Sequence, residues 1–353
     1  MTKRIEGVLC QSRTQLNATR KMMRFLSCDW GTSSFRLRLV NSDDASINGE
    51  YVNEAGIQSA YQSFMEIGKG ESRESFYFGI LRNEIKSMEE SLNVNLDGML
   101  VVCSGMASSS IGIKELPYAN LPLDTLGTSM KLEYFHSSDE FNHPLLLLSG
   151  VQSTDNVMRG EETQLIGVVR QLKDFNGNGI FILPGTHSKH IWVNNNQMTG
   201  FKTYMTGEIF HLMAYKSILS KSVKFDPSEN EKSKAVFTEG IKVGAENALL
   251  SVLFNTRTNE LFGRYSKEEN FHYLSGLLIG NELTNLVQEK EANIYLCSEG
   301  KLHPNYVIGM EALGLKPKIL PTQWVSQSVI HGQIQVLNQN INNEKNIFLG
   351  SFQ

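Results

Sequence analysis

Two adjacent carboxylates, Glu161 and Glu162, follow Arg159 and Gly160 in the stretch "NVMRGEETQLIG". They stand at the front of an apolar-periodic segment that predicts a helix from near Arg159 past Leu172. Acids at a helix N-terminus interact favourably with the helix dipole, and that alone accounts for them. The alternative is that one of them faces a cleft and takes a proton from a substrate hydroxyl. Gly160 leaves room for a ligand directly before Glu161, and the dipole favours the ionised form that can accept a proton. Glu161 is accordingly read as the base and Glu162 as a helix-terminus or hinge residue, with Glu162 its rival.

Three further stretches carry groups suited to a nucleotide. "CDWGTSSFRLRL" brings Asp29 to the end of a buried strand, before a turn of Gly31, Thr32 and Ser33. Turn N–H groups and hydroxyls bind phosphate oxygens, and the carboxylate can hold Mg²⁺ directly or through water. Arg36, on the returning strand, can reach a phosphate. "ILPGTHSKHIWV" repeats the arrangement: Gly185 permits close backbone approach, Thr186 and Ser188 bring hydroxyls, and His187 or Lys189 brings a phosphate partner. His187, Lys189 and His190 without a nearby carboxylate make a poor metal set. "YLCSEGKLHPNYVIGMEALG" reads as strand, turn and helix, with Ser298 and Gly300 in a turn able to cover an adenine and ribose. Each stretch also suits an ordinary polar hairpin or strand–helix connection.

These groups need elements to hold them. The short apolar runs "GMLVV", "PLLLLSG" and "GIFILPG" predict buried strands. "RFLSCDWG", "FRLRLV" and "INGEYVNEAG" predict three successive strands, and residues 71–92 a helix. After the Asn- and Gly-rich "KDFNGNG", strand–turn–strand recurs around Thr186. Helices are expected in "GEIFHLMAYKSIL", from Phe237 to Phe262, and in "PTQWVSQSVIHGQIQVL". The Asp29 and Thr186 units look like two copies of one design, and a cleft between two such halves suits a bridging ligand.

A chain of 353 residues favours two domains. The expected division is a leader at 1–23, a first domain at 24–172 and a second at 173–353. The leader holds five Lys and Arg residues against one acid, without the apolar core of a secretory signal. Hydrophobic residues at 41% and charged residues at 20% suit a soluble globular protein. A net charge of −4 argues against nucleic acid as the main partner. No apolar run approaches the roughly 18 residues of a membrane span. Cys28, Cys103 and Cys297 lie in separated apolar runs, as reduced core thiols of a cytosolic protein do.

In their order along the chain, "DWGTSSFRLRL", "RGEETQLIG", "PGTHSKHIWV", "TYMTGE", "YLSGLLIG" and "CSEG…NYVIGMEALG" resemble sugar kinases of the actin and hexokinase superfamily. The nearest likeness is to the 2-dehydro-3-deoxygalactonokinase family, over roughly Phe25 to Leu337. The resemblance implies an α/β fold of two actin-like (ribonuclease H-like) domains, with mixed sheets flanked by helices and ATP between them. It places Asp29 near Mg²⁺, Thr32, Ser33 and Arg36 near the β- and γ-phosphates, and "PGTHSK" at a second phosphate motif. It makes "CSEGK" the adenosine motif and sets Glu161 where related kinases carry a catalytic aspartate. "NEAGI", with Glu54, Ala55 and Gly56, and "CSGMASSSIGIKELPY", with Ser104, Gly105, Met106 and Lys114, resemble segments that shape the sugar-acid pocket. Lys114 is the expected partner of the substrate carboxylate.

The resemblance implies an ATP- and Mg²⁺-dependent kinase of a 2-keto-3-deoxy sugar acid, forming the 6-phosphate. Its partners would be that small molecule and ATP, with no nucleic acid or membrane; a homodimer is compatible with it. The alternatives are a kinase for another sugar acid, sugar or polyol, and a non-kinase nucleotide-gated protein or phosphatase of the same superfamily.

Overall fold

The computed structural model describes residues 23–343 apart from 69, 229, 290 and 291. Cys10 and all but the last residue of the expected leader lie outside the described residues. The first sheet opens with β1 (Arg24–Trp30), β2 (Phe35–Asn41) and β3 (Ile47–Asn53), paired antiparallel in that order. β1 lies inside the sheet, and its residues are buried almost throughout from Phe25 to Trp30. Two helices follow, α1 (Ile57–Ile67) and α2 (Arg73–Leu92). Ser72 caps α2 by accepting from the Ser75 N–H, and Asn93 ends it in the left-handed region. β4 (Val101–Gly105) then lies parallel to β1, and β5 (Leu145–Leu148) parallel to β4. Helix α3 (Glu161–Gln171) closes this half.

The same order then recurs. β6 (Gly179–Leu183), β7 (Ser188–Asn194) and β8 (Gln197–Tyr204) pair antiparallel. Helices α4 (Thr206–Lys216), α5 (Glu231–Glu246) and α6 (Lys267–Leu283) come next. β9 (Ile294–Leu296) lies parallel to β6, α7 (Leu302–Ala312) follows, and β10 (Lys318–Ile319) lies parallel to β9. Two mixed sheets that share the order of five strands and carry a sixth at opposite edges, flanked by helices, give the α/β architecture expected from the two sequence units. The helix expected from Phe237 to Phe262 differs: α5 starts at Glu231 and stops at Glu246. Asn247 leaves the helix in extended backbone, and its side-chain amide bonds the Val243 carbonyl in competition with the helical pattern.

Helix α8 (Ser328–Asn343) returns to cross α3 between the sheets. A Cβ on Gly167 would lie 1.8 Å from the Ser328 carbonyl oxygen, and one on Gly332 2.0 Å from that of Thr163, so the two helices meet backbone to backbone. One core fills the space around this pair, with Phe25 and Val102 from the first sheet, Phe181 and Ile191 from the second, and Leu165 and Ile330 from the helices. Outer cores lie beneath α2 (Trp30, Tyr77, Leu81) and beneath α5 to α7 (Ile182, Ile241, Met310). The expected 172/173 division is crossed: Leu123–Asp124 pairs with β8, and α8 packs on α3, β1 and β4. Among the described residues no helix is long and apolar enough to cross a membrane.

Candidate active site

Asp29 stands next to the last residue of β1. Its register neighbours are Arg36 on β2 and Ser104 on β4, so three expected residues adjoin. Gly105 turns away from β4 with φ 85°. A Cβ there would lie 2.7 Å from the Trp30 carbonyl oxygen and 3.5 Å from Asp29 Oδ1. Gly160 has φ 113°, and its Cβ would lie 3.5 Å from the Gly105 Cα. The two glycines thus bring the front of α3 against the ends of β1 and β4. Burial raises the Asp29 pKa, opposed by Arg36 and Arg38 and reinforced by Glu161.

The paired carboxylates part company here. Glu162 is fully buried, and both its oxygens accept from the Gly160 N–H, at 2.9 and 2.8 Å. Thr163 Oγ1 donates to it as well, at 3.1 Å. Burial pushes its pKa up to about 7, with Glu161 adding to the rise and the hydrogen bonds opposing it. Glu161 instead reaches the cleft. Its Oε2 accepts from the Arg159 N–H at 3.1 Å, and Lys189 Nζ lies 2.8 Å from its Oε1. Lys189 is the second residue of β7, so this ion pair ties the front of α3 to the second turn. The Lys189 ammonium also donates to the His187 carbonyl at 2.8 Å.

The remaining expected residues fall into three groups. Thr32 and Ser33 are exposed on the first turn, which the 54–57 segment supports from below. Trp30 Nε1 donates to the Ala55 carbonyl at 3.0 Å, and the Ile57 N–H donates to the Gly31 carbonyl at 2.9 Å. A Cβ on Gly56 would lie 2.3 Å from the Thr32 carbonyl oxygen, while Glu54 is exposed. In the second turn, Thr186 is exposed and His187 Nε2 pairs with Glu208 at 2.5 Å. The Ser188 hydroxyl is buried and points inward, 2.9 Å from Tyr306 Oη. In the third group, Met106 opens a single 3₁₀ turn after β4, and Lys114 Nζ lies 2.6 Å from Glu133 and over the Phe135 ring.

Two groups of residues escaped the sequence reading. Behind the second turn, Tyr306 Oη donates to Glu282 at 2.7 Å, Thr206 bonds the same carboxylate, and His190 Nε2 lies 3.0 Å from it. A cavity of about 320 Å³ opens beside Gly185, lined by Gly207, Phe210, Asp226, His272, Lys301 and Asn305 among others. Two Ser228 hydrogen bonds and the His272 ring, 3.0 Å away, hold Asp226 down at about 2. The expected Ser298 and Gly300 lie just before the cavity wall; Ser298 Oγ bonds His303 Nδ1 at 2.9 Å. No sequence signal marks Asp226 or His272, which sit in an ordinary loop and an ordinary helix. The two GxxxG spacings of α5 and α6 do signal close helix packing. A Cβ on Gly244 or Gly280 would come 2.1 Å from the carbonyl oxygen of Leu277 or Ile241 on the other helix.

The arrangement suits a nucleotide laid between two turns, its base in the cavity and its phosphates toward Asp29 and Lys189. Among the described residues no three His, Cys, Asp or Glu side chains gather as a metal site. Mg²⁺ needs only one or two carboxylates when phosphates and water complete its shell. Asp29, half-buried at the end of β1 beside Arg36, fits that demand.

The model of the 2-keto-3-deoxy-galactonokinase family matches residues 29–334. The 2-dehydro-3-deoxygalactonokinase of Escherichia coli K12 is 30% identical over 295 residues, 82% of this chain and 90% of the relative. A solved structure from Sinorhizobium meliloti, described as a candidate 2-dehydro-3-deoxygalactonokinase, shares the fold with a TM-score of 0.73. It is 25% identical, with 90% of this chain and 96% of that one covered. The chain belongs to the 2-keto-3-deoxy-galactonokinase family.

Proposed function

We propose that this kinase transfers the γ-phosphoryl group of ATP to the 6-hydroxyl of 2-keto-3-deoxygalactonate, with Glu161 as base and Asp29 at Mg²⁺. The observation that carries the reading is the meeting of Asp29, Gly105, Gly160, Glu161 and Lys189 at one point between the two phosphate turns. Mg²⁺, when bound, offsets charge on the phosphate oxygens. Glu161 accepts the hydroxyl proton as attack proceeds, and its half-exposed position lets it do so. Lys189, nearly buried, moves its positive charge between Glu161 and an arriving phosphate. Arg36 and the N–H groups of both turns hold phosphate oxygens in line, which supplies most of the rate effect. Leu123–Asp124 and α8 aside, the two lobes part near 172/173, and α3 with α8 forms the hinge whose closure excludes water. The reading carries with it a cytosolic enzyme with no nucleic-acid or membrane partner, in keeping with buried free thiols at Cys28, Cys103 and Cys297. ADP release measured with and without keto-deoxy acids, aldonates, hexoses and polyols tests it, with the product position fixed by NMR. ADP release that ignores the sugar acid, or preference for a polyol, sinks it.

A further inference from the structure

Arg159 occupies an unusual position one residue before Gly160. Its guanidinium carbon lies over the Tyr118 ring, 4.2 Å from the centroid. Nη1 donates to both the carbonyl and the hydroxyl of Ser108, each at 2.6 Å. Nη2 makes one long contact, 3.5 Å to the Leu116 carbonyl, and Nε is buried without a partner. Among the described residues no carboxylate pairs with it, although Lys114, Lys189 and Arg38 each have one. Neutral partners leave the charge uncompensated, and an enclosed cation without a counter-ion is costly. The Nε/Nη2 edge, met only by that long contact, is the side of the fork that grips a carboxylate through two parallel N–H bonds. From adjacent positions around Gly160, Glu161 turns toward Lys189 and Arg159 toward the 106–118 segment. A six-carbon acid likewise carries its carboxylate at the end opposite its primary hydroxyl.

We infer that Arg159 receives the carboxylate of the acceptor, an α-keto or aldonic acid, on its Nε/Nη2 edge, and that Tyr118 and Ser108 hold it for that purpose. The inference rests on the sugar-acid kinase reading. It moves the carboxylate partner from Lys114, which Glu133 already neutralises, to a cation with no such neighbour.

The test compares 2-keto-3-deoxygalactonate with its neutral C1 amide, by kcat/KM and by calorimetric binding without ATP. In Arg159→Gln the acid should lose about 10²-fold, as when one partner of a buried charge pair is removed. The amide should lose less than threefold, with KM for ATP and melting temperature unchanged. The acid-over-amide ratio collapses in Arg159→Gln and holds in Lys114→Gln. Equal loss of acid and amide makes Arg159 a pin of the 106–118 turn and overturns the assignment, as does a ratio that collapses in Lys114→Gln alone. Should Arg159→Gln not fold, Arg159→Lys decides: a loss confined to the acid supports the inference, and an unchanged ratio ends it. A wild-type enzyme with no preference for acid over amide overturns the substrate reading along with it. A preference that survives in Arg159→Gln overturns only the residue.

Discussion

On the faces turned toward α3 and α8, the first hairpin ends with Asp29 against Arg36 and the second with Leu183 against Lys189. Topology is shared, but only the first carries a carboxylate there. The second hairpin is backed by the hydrogen-bonded set of Ser188, Tyr306, Glu282, Thr206 and His190. The first rests on backbone contacts from Gly31 and Thr32 to the 56–58 segment. Its arginines, Arg36 and Arg38, lean on Glu50 and its carboxylate Asp29 lies beside them, whereas the second spends most of its polar groups on its own rigidity and extends Lys189 across the cleft to Glu161. Copies of one unit have thus been divided into a charged jaw and a stiff one.

Removing the charge from the charged jaw should have the largest effect. Asp29→Ala is expected to abolish measurable turnover with the melting temperature intact, since it removes the carboxylate at the mouth of the first turn. Near-normal turnover at saturating Mg²⁺ would show that the asymmetry does not matter. Next comes the group that faces both jaws. Glu161→Gln should cut kcat by about 10²- to 10⁴-fold, with nucleotide affinity little changed. A loss seen only in KM for ATP would make Glu161 a tether for Lys189 and not a base.

Stiffness is tested at Glu282. Glu282→Gln keeps the shape, removes the charge and turns one of its two acceptor oxygens into a donor, so Thr206, Tyr306 and His190 no longer find the two acceptors they share. The loss should be about 1–3 kcal/mol in stability, read by denaturant unfolding, with KM for ATP raised roughly tenfold and kcat changed far less. An unaltered KM would disconnect this network from the nucleotide.

The strands and turns of both jaws were legible because a buried strand is a short apolar run and a hairpin needs glycine and small polar residues. "RGEE" and "PGTHSK" were legible as motifs because of their family pattern, and the structure shows that Glu162 and Ser188 within them serve packing. The Glu282 network was not, because His190, Glu282 and Tyr306 sit far apart in sequence, and what joins them is the packing of α6 and α7 behind β7. Arg159 was passed over for Lys114 because sequence shows which cations exist and not which are already neutralised.

Glu162 sets the smallest effect and the sharpest contrast, since it lies beside Glu161 and differs only in where its side chain goes. Its carboxylate turns back onto the Gly160 N–H inside the protein, so replacement by glutamine keeps the shape and most of the hydrogen bonding. Turnover should fall less than about tenfold, as befits a helix-end interaction worth roughly 0.3–1 kcal/mol. The charge shows itself through pH instead. Burial raises the pKa from 4.5 to about 7 in the folded protein, so between those values the folded state holds a proton that the unfolded chain has released. The contribution to stability is therefore complete below the unfolded pKa and is lost as pH rises through about 7. At 1.36 kcal/mol per unit the whole swing is about 3 kcal/mol. Unfolding free energies of wild type and Glu162→Gln, measured from pH 4 to pH 8, should converge at the acid end and separate in favour of the variant at the alkaline end. Parallel curves would mean that Glu162 is not held in a dry site, and a dead Glu162→Gln beside an active Glu161→Gln would exchange the two roles.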